Sequence, residues 1–212
     1  MRKMVWMLFV ATVLGLGFGQ TALAQSCVPF VGGHLGLGTG SGWNDSFGVE
    51  SVKGTIGGVQ AGCTWQRGQV AFGFAGDLAI SGIKGKETSS YSDSFGSSTV
   101  TRTAMLDRLS TVTGNIGYVT GPWTVYGEAG LALARVRSEV ERHETSQYGT
   151  YQYGYKNANN ATGWVSGLGV KYKWNNDWNA DFRVRSVQIQ TISDGSTVAS
   201  SKLLEIGFQR SF

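Results

Sequence analysis

Proline is nearly missing from these 212 residues: there are two, alongside two cysteines and two histidines. With so little proline, long stretches can run through hydrogen-bonded ladders without a lost donor. Two cysteines allow at most one intramolecular disulfide, which excludes a disulfide-built scaffold. Charged residues make up 15% of the chain, well below the roughly 25% of soluble globular domains. The formal charge is +4, too balanced to point to nucleic acid as a partner. Beyond the N-terminus there is no apolar run long enough for a spanning helix. If the chain sits in a membrane it does so as a closed barrel, the other structure that satisfies its own backbone there.

What is present is glycine, at 32 residues, and aromatics, at 12%. The N-terminus has a positive Arg2-Lys3, an apolar run from Val5 to Gly19, and the small-x-small site Ala22-Leu23-Ala24. This is the pattern of a secretory signal peptide over residues 1–24, cut before Gln25. A retained transmembrane helix is the alternative, against which the run is short. Gln25-Ser26 before Cys27 sits badly for a lipidation box. Loss of Arg2 and Lys3 lowers the formal charge by two, to about +2. The mature chain, 25–212, reads as one domain.

The last ten residues, Leu203 to Phe212, alternate. Leu204, Ile206, Phe208 and Phe212 share one side; Glu205, Gly207, Gln209 and Ser211 share the other. A period of two is a strand with one apolar face. In an open sheet such a terminal strand is an exposed edge and an aggregation hazard, whereas in a closed barrel it has a neighbour on each side. The ending resembles the closing strand of bacterial outer-membrane barrels, except that Arg210 stands where those strands usually carry an apolar residue.

Seven further strands precede it: Val28–Gly38, Thr55–Gln66, Gln69–Ile80, Ala104–Thr120, Trp123–Val136, Thr162–Trp174 and Trp178–Ile189. Each is long enough to cross a bilayer at a tilt. Tight turns at Arg67-Gly68, Thr120 to Pro122 and Asn175 to Asp177 alternate with long connections after Gly38, Ile80, Val136 and Gln190. The stretches Gly82–Arg102 and Arg137–Asn160, rich in Ser, Thr and Tyr, read as long solvated loops. Short turns on one side and long loops on the other are the signature of an outer-membrane barrel. A soluble lipocalin-like barrel is the competing architecture. It would hide its apolar side chains inside, whereas here Trp65, Tyr118, Trp123, Trp174 and Trp178, with Phe212, flank the tight-turn end on the apolar side, as an interfacial aromatic belt does. The fold class expected is all-β: an eight-stranded antiparallel up-and-down transmembrane β-barrel.

Several stretches resemble the small outer-membrane immunogenic proteins of alphaproteobacteria: Phe30 to Gly36, Gly57 to Gln66, Phe72 to Asp77, Val125 to Ala132 and Gly163 to Val170. The resemblance covers nearly the whole mature chain. It implies an OmpA-like or opacity-type barrel, a mostly structural surface protein and antigen, and, for some members, binding of haemin or host surfaces. This chain departs from the family in carrying Arg183 for an inward Glu, Glu205 for an inward Arg and Lys171 for an inward acid. Such paired reversals are what a lumen ion-pair network of swapped polarity would look like.

The candidate residues follow. Asp77, Glu128, Lys171, Asp181, Arg183, Arg185 and Glu205 share the inward parity and form a charge network. It reads either as a conduction path or as a polar plug, and the plug is favoured because side chains just fill an eight-stranded interior. His34 reads as a hydrogen-bonded lumen residue and His143 as a loop histidine. His143 is the candidate for haemin, with the tyrosines of its loop nearby. No metal site, cofactor or catalysis is expected. The Arg142-His143-Glu144-Thr145-Ser146 run offers a His near a Ser for an acyl hydrolase or acyltransferase, but without a rigid frame. The Tyr- and Ser-rich loops have the composition of adaptable contact surfaces. Cys27 and Cys63 share the outward parity near the tight-turn end of neighbouring strands. A connection centred near residue 46 places Cys27 opposite about residue 65, so a disulfide is expected in an oxidising compartment. The expected location is the bacterial outer membrane, after secretion. The expected partners are outer-membrane lipid and lipopolysaccharide, the barrel assembly machinery acting on the C-terminal strand, and a host surface or haemin.

Overall fold

The computed structural model describes residues 27–41, 49–93, 96–146, 149–190 and 197–212. Eight strands follow one another: β1 (Val28–Ser41), β2 (Ser51–Arg67), β3 (Val70–Asp93), β4 (Gly96–Thr120), β5 (Trp123–Ser146), β6 (Gly149–Lys173), β7 (Trp178–Gln190) and β8 (Thr197–Ser211). Each pairs antiparallel with its sequence neighbours, and β8 closes on β1 into a barrel. The C-terminal strand thus has a partner on both sides. Phe30 pairs with Ser211, and the Phe212 amide donates to the Pro29 carbonyl.

Period-two patterning decides which way every side chain points. Leu35, Ile80 and Leu168 each expose 70% or more of their surface on the outside, while their strand neighbours His34, Ala79 and Gly169 are buried. Large apolar side chains out and polar side chains in is the inverse of a soluble barrel, and it matches a wall facing lipid. The soluble lipocalin-like alternative fails on this point.

The tight turns form for local reasons. Gly68 and Gly121 take φ of 61° and 57°, the left-handed region that two-residue hairpins demand. At the third turn, Asn175 Oδ1 accepts from the amides of Asp177 and Trp178, at 2.9 and 2.8 Å, an Asx turn. Around this end lie Trp65, Tyr118, Trp123, Trp174, Trp178 and Phe212. Trp65 stacks on Phe72 at 5.7 Å and Trp123 packs on Tyr172 at 4.6 Å. Arg210, anomalous in sequence, lies over the rings of Phe212 and Trp178, at 5.3 and 6.0 Å, where its charge is held by aromatic faces at the interface.

Two expectations are overturned. Gly82–Arg102 and Arg137–Asn160 are not loops: β3 runs on to Asp93, β4 starts at Gly96, β5 reaches Ser146 and β6 starts at Gly149. The reason is that both faces of these extensions meet water. Alternation of polarity disappears there, while Thr, Tyr and Val still favour the extended backbone. β4 and β5 also pair with each other from Leu106↔Val136 out to Gly96↔Ser146, so the two hairpins share one ladder. The connections after Gly38 and after Gln190 fall largely on residues outside those described, as does the 1–24 signal segment.

A β-bulge at Asp107 is the second feature that simple alternation misses. The register of β4 slips by one between Leu106 and Arg108, so the inward set passes from even (Ala104, Leu106) to odd (Leu109, Thr111, Thr113).

Candidate functional site

The lumen has three levels. The middle one is the charge network. Arg183 projects inward from β7 and reaches four groups. Its Nε donates to Glu205 Oε2 at 2.5 Å, Nη1 to Gln60 Oε1 at 2.6 Å and Nη2 to Asp77 Oδ2 at 3.3 Å. Nη1 also lies 4.0 Å from Asp181 Oδ2. Arg185, two residues on and so on the same face, has Nε 2.9 Å from Glu128 Oε1 and donates from Nη2 to Thr111 Oγ1 at 2.7 Å. His34 bridges two acids, with Nδ1 3.3 Å from Asp77 Oδ2 and Nε2 3.7 Å from Glu205 Oε1. Asp181 accepts from Tyr126 Oη at 2.7 Å and from Gln209 Nε2 at 3.0 Å.

The structure therefore brings six of the seven expected network residues into one buried cluster. Lys171 stands apart from the ion pairs: its ammonium lies over the rings of Tyr126 and Phe30, at 4.9 and 5.1 Å. Its cross-strand partner is Asp181, which is taken up by Tyr126 and Gln209. The swapped residues meet directly, since Arg183 and Glu205 are opposed in the ladder. Gln60, Tyr126, His34 and Gln209 complete the network. Their inward parity marked them, but neutral or lone polar residues gave no charge signal.

Beyond the charge layer, toward the hairpin end, the lumen turns apolar. Ile83, Leu106, Leu109, Val165, Val187, Ile189 and Leu203 are each 1% exposed or less and form one contiguous cluster. Val187 and Ile189 continue the parity of Arg183 and Arg185, so the signal was present in the strand. On β4 it was hidden by the bulge. On the tight-turn side the lumen opens into a polar vestibule of about 300 Å³, lined among others by Gln66, Asn115, Lys171, Lys173 and Asn179. The vestibule ends at the charge layer.

Outside the membrane region, β3 to β6 continue as a four-stranded blade. The β2–β3 ladder stops at Lys53↔Lys84 and the β6–β7 ladder at Thr162↔Gln190. From there, at about 3.3 Å per residue, the blade projects roughly 30 Å along β3 and roughly 43 Å along β6. On the face that continues the lumen side, cross-strand rows read Tyr91–Ser98–Glu144–Tyr151, Ser89–Val100–Arg142–Tyr153 and Glu87–Arg102–Val140–Tyr155. Tyr91, Tyr151, Tyr153 and Tyr155 are all more than half exposed. The Arg142 guanidinium lies over the Tyr153 ring at 5.8 Å and pairs with Glu144 at 2.6 Å. The other face is a hydroxyl ladder, with Thr88–Thr101 at 3.2 Å and Ser90–Thr99 at 3.1 Å.

His143 lies on this second face, opposite Thr99 and Gln152. Of the tyrosines expected to assist it at a haem, Tyr151, Tyr153 and Tyr155 point the other way, because neighbours along a strand alternate, and Tyr148 lies outside the described residues. Of the hydrolase run, the side chain of Ser146 lies outside those described. Among the described residues no group of three or more His, Cys, Asp and Glu is arranged for a metal ion. Cys27 and Cys63 are joined by a disulfide with Cα atoms 5.8 Å apart. The pairing Val28↔Thr64 continues to place Cys27 opposite residue 65, one same-face step from Cys63.

The sequence pattern of a family described as "Outer membrane protein beta-barrel domain" matches residues 10–212. Among solved structures the chain is similar to Neisserial surface protein A (NspA), at 15% identity over 87% of this chain and 97% of that one, with TM-score 0.49. It is similar to Ail, the attachment invasion locus protein of Yersinia pestis, at 10% identity over 89% and 99%, with TM-score 0.43. It is also similar to OprG of Pseudomonas aeruginosa, at 12% identity over 89% and 97%, with TM-score 0.43. No curated protein matches the sequence.

Proposed function

This chain belongs to the outer membrane protein beta-barrel domain family, and from that premise we propose that it is a structural barrel of the bacterial outer membrane whose blade is its working surface. The observation that carries the reading is the sealed lumen: a salt-bridged layer backed by buried Ile83, Leu106, Leu109, Val187 and Leu203. A wall closed in this way leaves the outside of the molecule as the place where it acts. Residues 1–24 serve as the cleaved export signal, and the terminal strand ending at Phe212 is what the barrel assembly machinery grips. Within the family, the alphaproteobacterial immunogenic proteins are the branch its motifs favour.

The blade supports a contact role by composition. Tyrosine supplies rigid amphipathic area at low entropy cost, and Ser and Arg supply adaptable hydrogen bonds. The Tyr91, Tyr151, Tyr153 and Tyr155 face is therefore the adhesive surface in this reading, with a host surface as its partner. Haemin at His143 is the weaker reading, since Tyr151, Tyr153 and Tyr155 lie on the opposite face. The test is attachment of bacteria displaying the chain to cultured host cells. Replacing the four tyrosines by serine is expected to reduce attachment at least fivefold, while Thr88→Ala/Thr101→Ala on the other face leaves it unchanged. Equal attachment by all three would remove the blade from the account.

A further inference from the structure

Lys171 and Lys173 share one face of β6 at the tight-turn end of the lumen, and both line the vestibule of about 300 Å³. No Asp or Glu lines it. Lys171 is half-buried, its ammonium over the rings of Tyr126 and Phe30 at 4.9 and 5.1 Å, and Lys173 is exposed nearer the mouth. Among the described residues, neither side chain has an ion pair or a hydrogen bond. The acids of this end are Asp177, in the β6–β7 turn, and the carboxylate of Phe212. Neither residue lines the cavity. Gln25 and Ser26, which precede Cys27 in the mature chain, add no acid.

The charge layer beneath accounts for these lysines only in part. Asp77, Glu128, Asp181 and Glu205 outnumber Arg183 and Arg185, so the two lysines balance the lumen as a whole. Yet the signs are separated along the axis. Asp181, cross-strand from Lys171, uses its oxygens on Tyr126 Oη at 2.7 Å and Gln209 Nε2 at 3.0 Å. The ammonium groups stay on the vestibule side. A cation drawn out of bulk water with no oxyanion against it is costly, and the ring faces offset a part of that. The walls also hold idle acceptors. Gln66 Nε2 donates to the Gly68 carbonyl at 2.9 Å and Asn179 Nδ2 to Ser211 Oγ at 3.2 Å. Among the described residues, that leaves Gln66 Oε1 and Asn179 Oδ1 without donors, and the side chains of Asn115 and Thr124 without any hydrogen bond.

We propose that the vestibule is a binding site for a small hydroxylated oxyanion, of the chemical class of a sugar acid or sugar phosphate. The oxyanion sits between Lys171 and Lys173, which approach it as point charges. Hydroxyl groups on its body donate to Gln66 Oε1 and Asn179 Oδ1, while Asn115 and Thr124 offer both donors and acceptors. The volume is at the small end for ligand pockets, roughly 300–1,000 Å³, and suits a body of about one sugar ring. The charge layer is the floor of the site, so the ligand enters and leaves on the tight-turn side without crossing the barrel. The blade takes no part, and the site stands whether or not the blade adheres to anything.

The experiment uses the full mature chain refolded in neutral detergent and titrated calorimetrically with glucuronate, glucose 6-phosphate, glucose and acetate, each up to about 10 mM. One or both sugar anions should saturate a single site per chain, and the tighter of the two identifies the oxyanion. Glucose, which lacks the charge, and acetate, which lacks the hydroxyls, should each bind at least tenfold more weakly. K171Q/K173Q is expected to lose at least tenfold for the sugar anion, and the charge-preserving K171R/K173R to stay within threefold of wild type. Asn115→Ala should weaken the sugar anion at least threefold and leave acetate unchanged. Lys202→Gln, on the outer wall at the far end of β8, should change nothing. Should K171Q/K173Q fail to refold, Lys173→Gln alone, at an exposed position, is expected to lose at least threefold. Absence of saturable binding by both sugar anions, equal binding of glucose or acetate, or wild-type binding by the lysine variants would each overturn the proposal.

Discussion

Arg183 on β7 and Glu205 on β8 stand directly opposite each other, and the guanidinium donates to the carboxylate from a position where both side chains are nearly inaccessible to water. Removing one member of a buried pair costs roughly 3–5 kcal/mol, whereas replacing both with fitting neutral groups can be close to neutral. Arg183→Gln and Glu205→Gln should each destabilise the refolded barrel, and the double variant should lose clearly less than their sum. A double-mutant cycle in urea, in lipid vesicles, measures this. Strict additivity would mean that the two residues are neighbours without being partners.

The Cys27–Cys63 bond ties the start of β1 to β2 across a separation of 36 residues. On the chain-entropy estimate a loop of that size stabilises by about 3–4 kcal/mol. Thiol titration of the mature protein, denatured without reductant, should find none reactive. Cys27→Ala/Cys63→Ala should still form the barrel, at a lower unfolding midpoint. Two reactive thiols per chain would contradict the bridge.

Gly169 makes room for Tyr126. The two are opposed across β5 and β6, and a Cβ at 169 would come 2.4 Å from Cζ of the ring. Gly169→Ala should force the ring aside, break its bond to Asp181 and cost about 1–3 kcal/mol, the range of overpacking. A wild-type unfolding midpoint for the variant would show that the ring has space to spare.

Trypsin needs Lys or Arg, and Arg102 and Arg142 lie on β4 and β5, the inner strands of the blade, with ladders on both sides. Intact cells treated with trypsin should keep both bonds whole. A protease of broad specificity should cut first at the short connections between Asp93 and Gly96 and between Ser146 and Gly149. Trypsin cleavage at Arg102 or Arg142 would mean that these stretches are loops after all. Cleavage beside Gly68 on intact cells would turn the barrel upside down.

The wall was legible because lipid imposes a strict rule. Leu35, Phe74, Leu168 and Phe208 alternate with small or polar residues, so parity alone assigns lumen and membrane. Asp77, Arg183, Arg185 and Glu205 stood out for the same reason, as charges of inward parity. The blade was not legible, because Thr88, Ser90, Thr99 and Thr101 face water on a sheet whose two faces are both polar. Its strands carry no apolar stripe to betray them. The apolar seal was missed on β4, where the bulge at Asp107 puts Leu106 and Leu109 on one face at a spacing that reads as opposite faces.

The central claim is that the lumen is a plug. The measurement that bears on it most directly is conductance of the refolded wild-type barrel in a planar bilayer. The sealed layers from Arg185 to Leu109 predict a flat baseline, with no stepwise openings at moderate voltage. Regular, long-lived conductance steps whose size changes on Arg185→Ala would contradict it, since ions would then be passing through the layer described as closed.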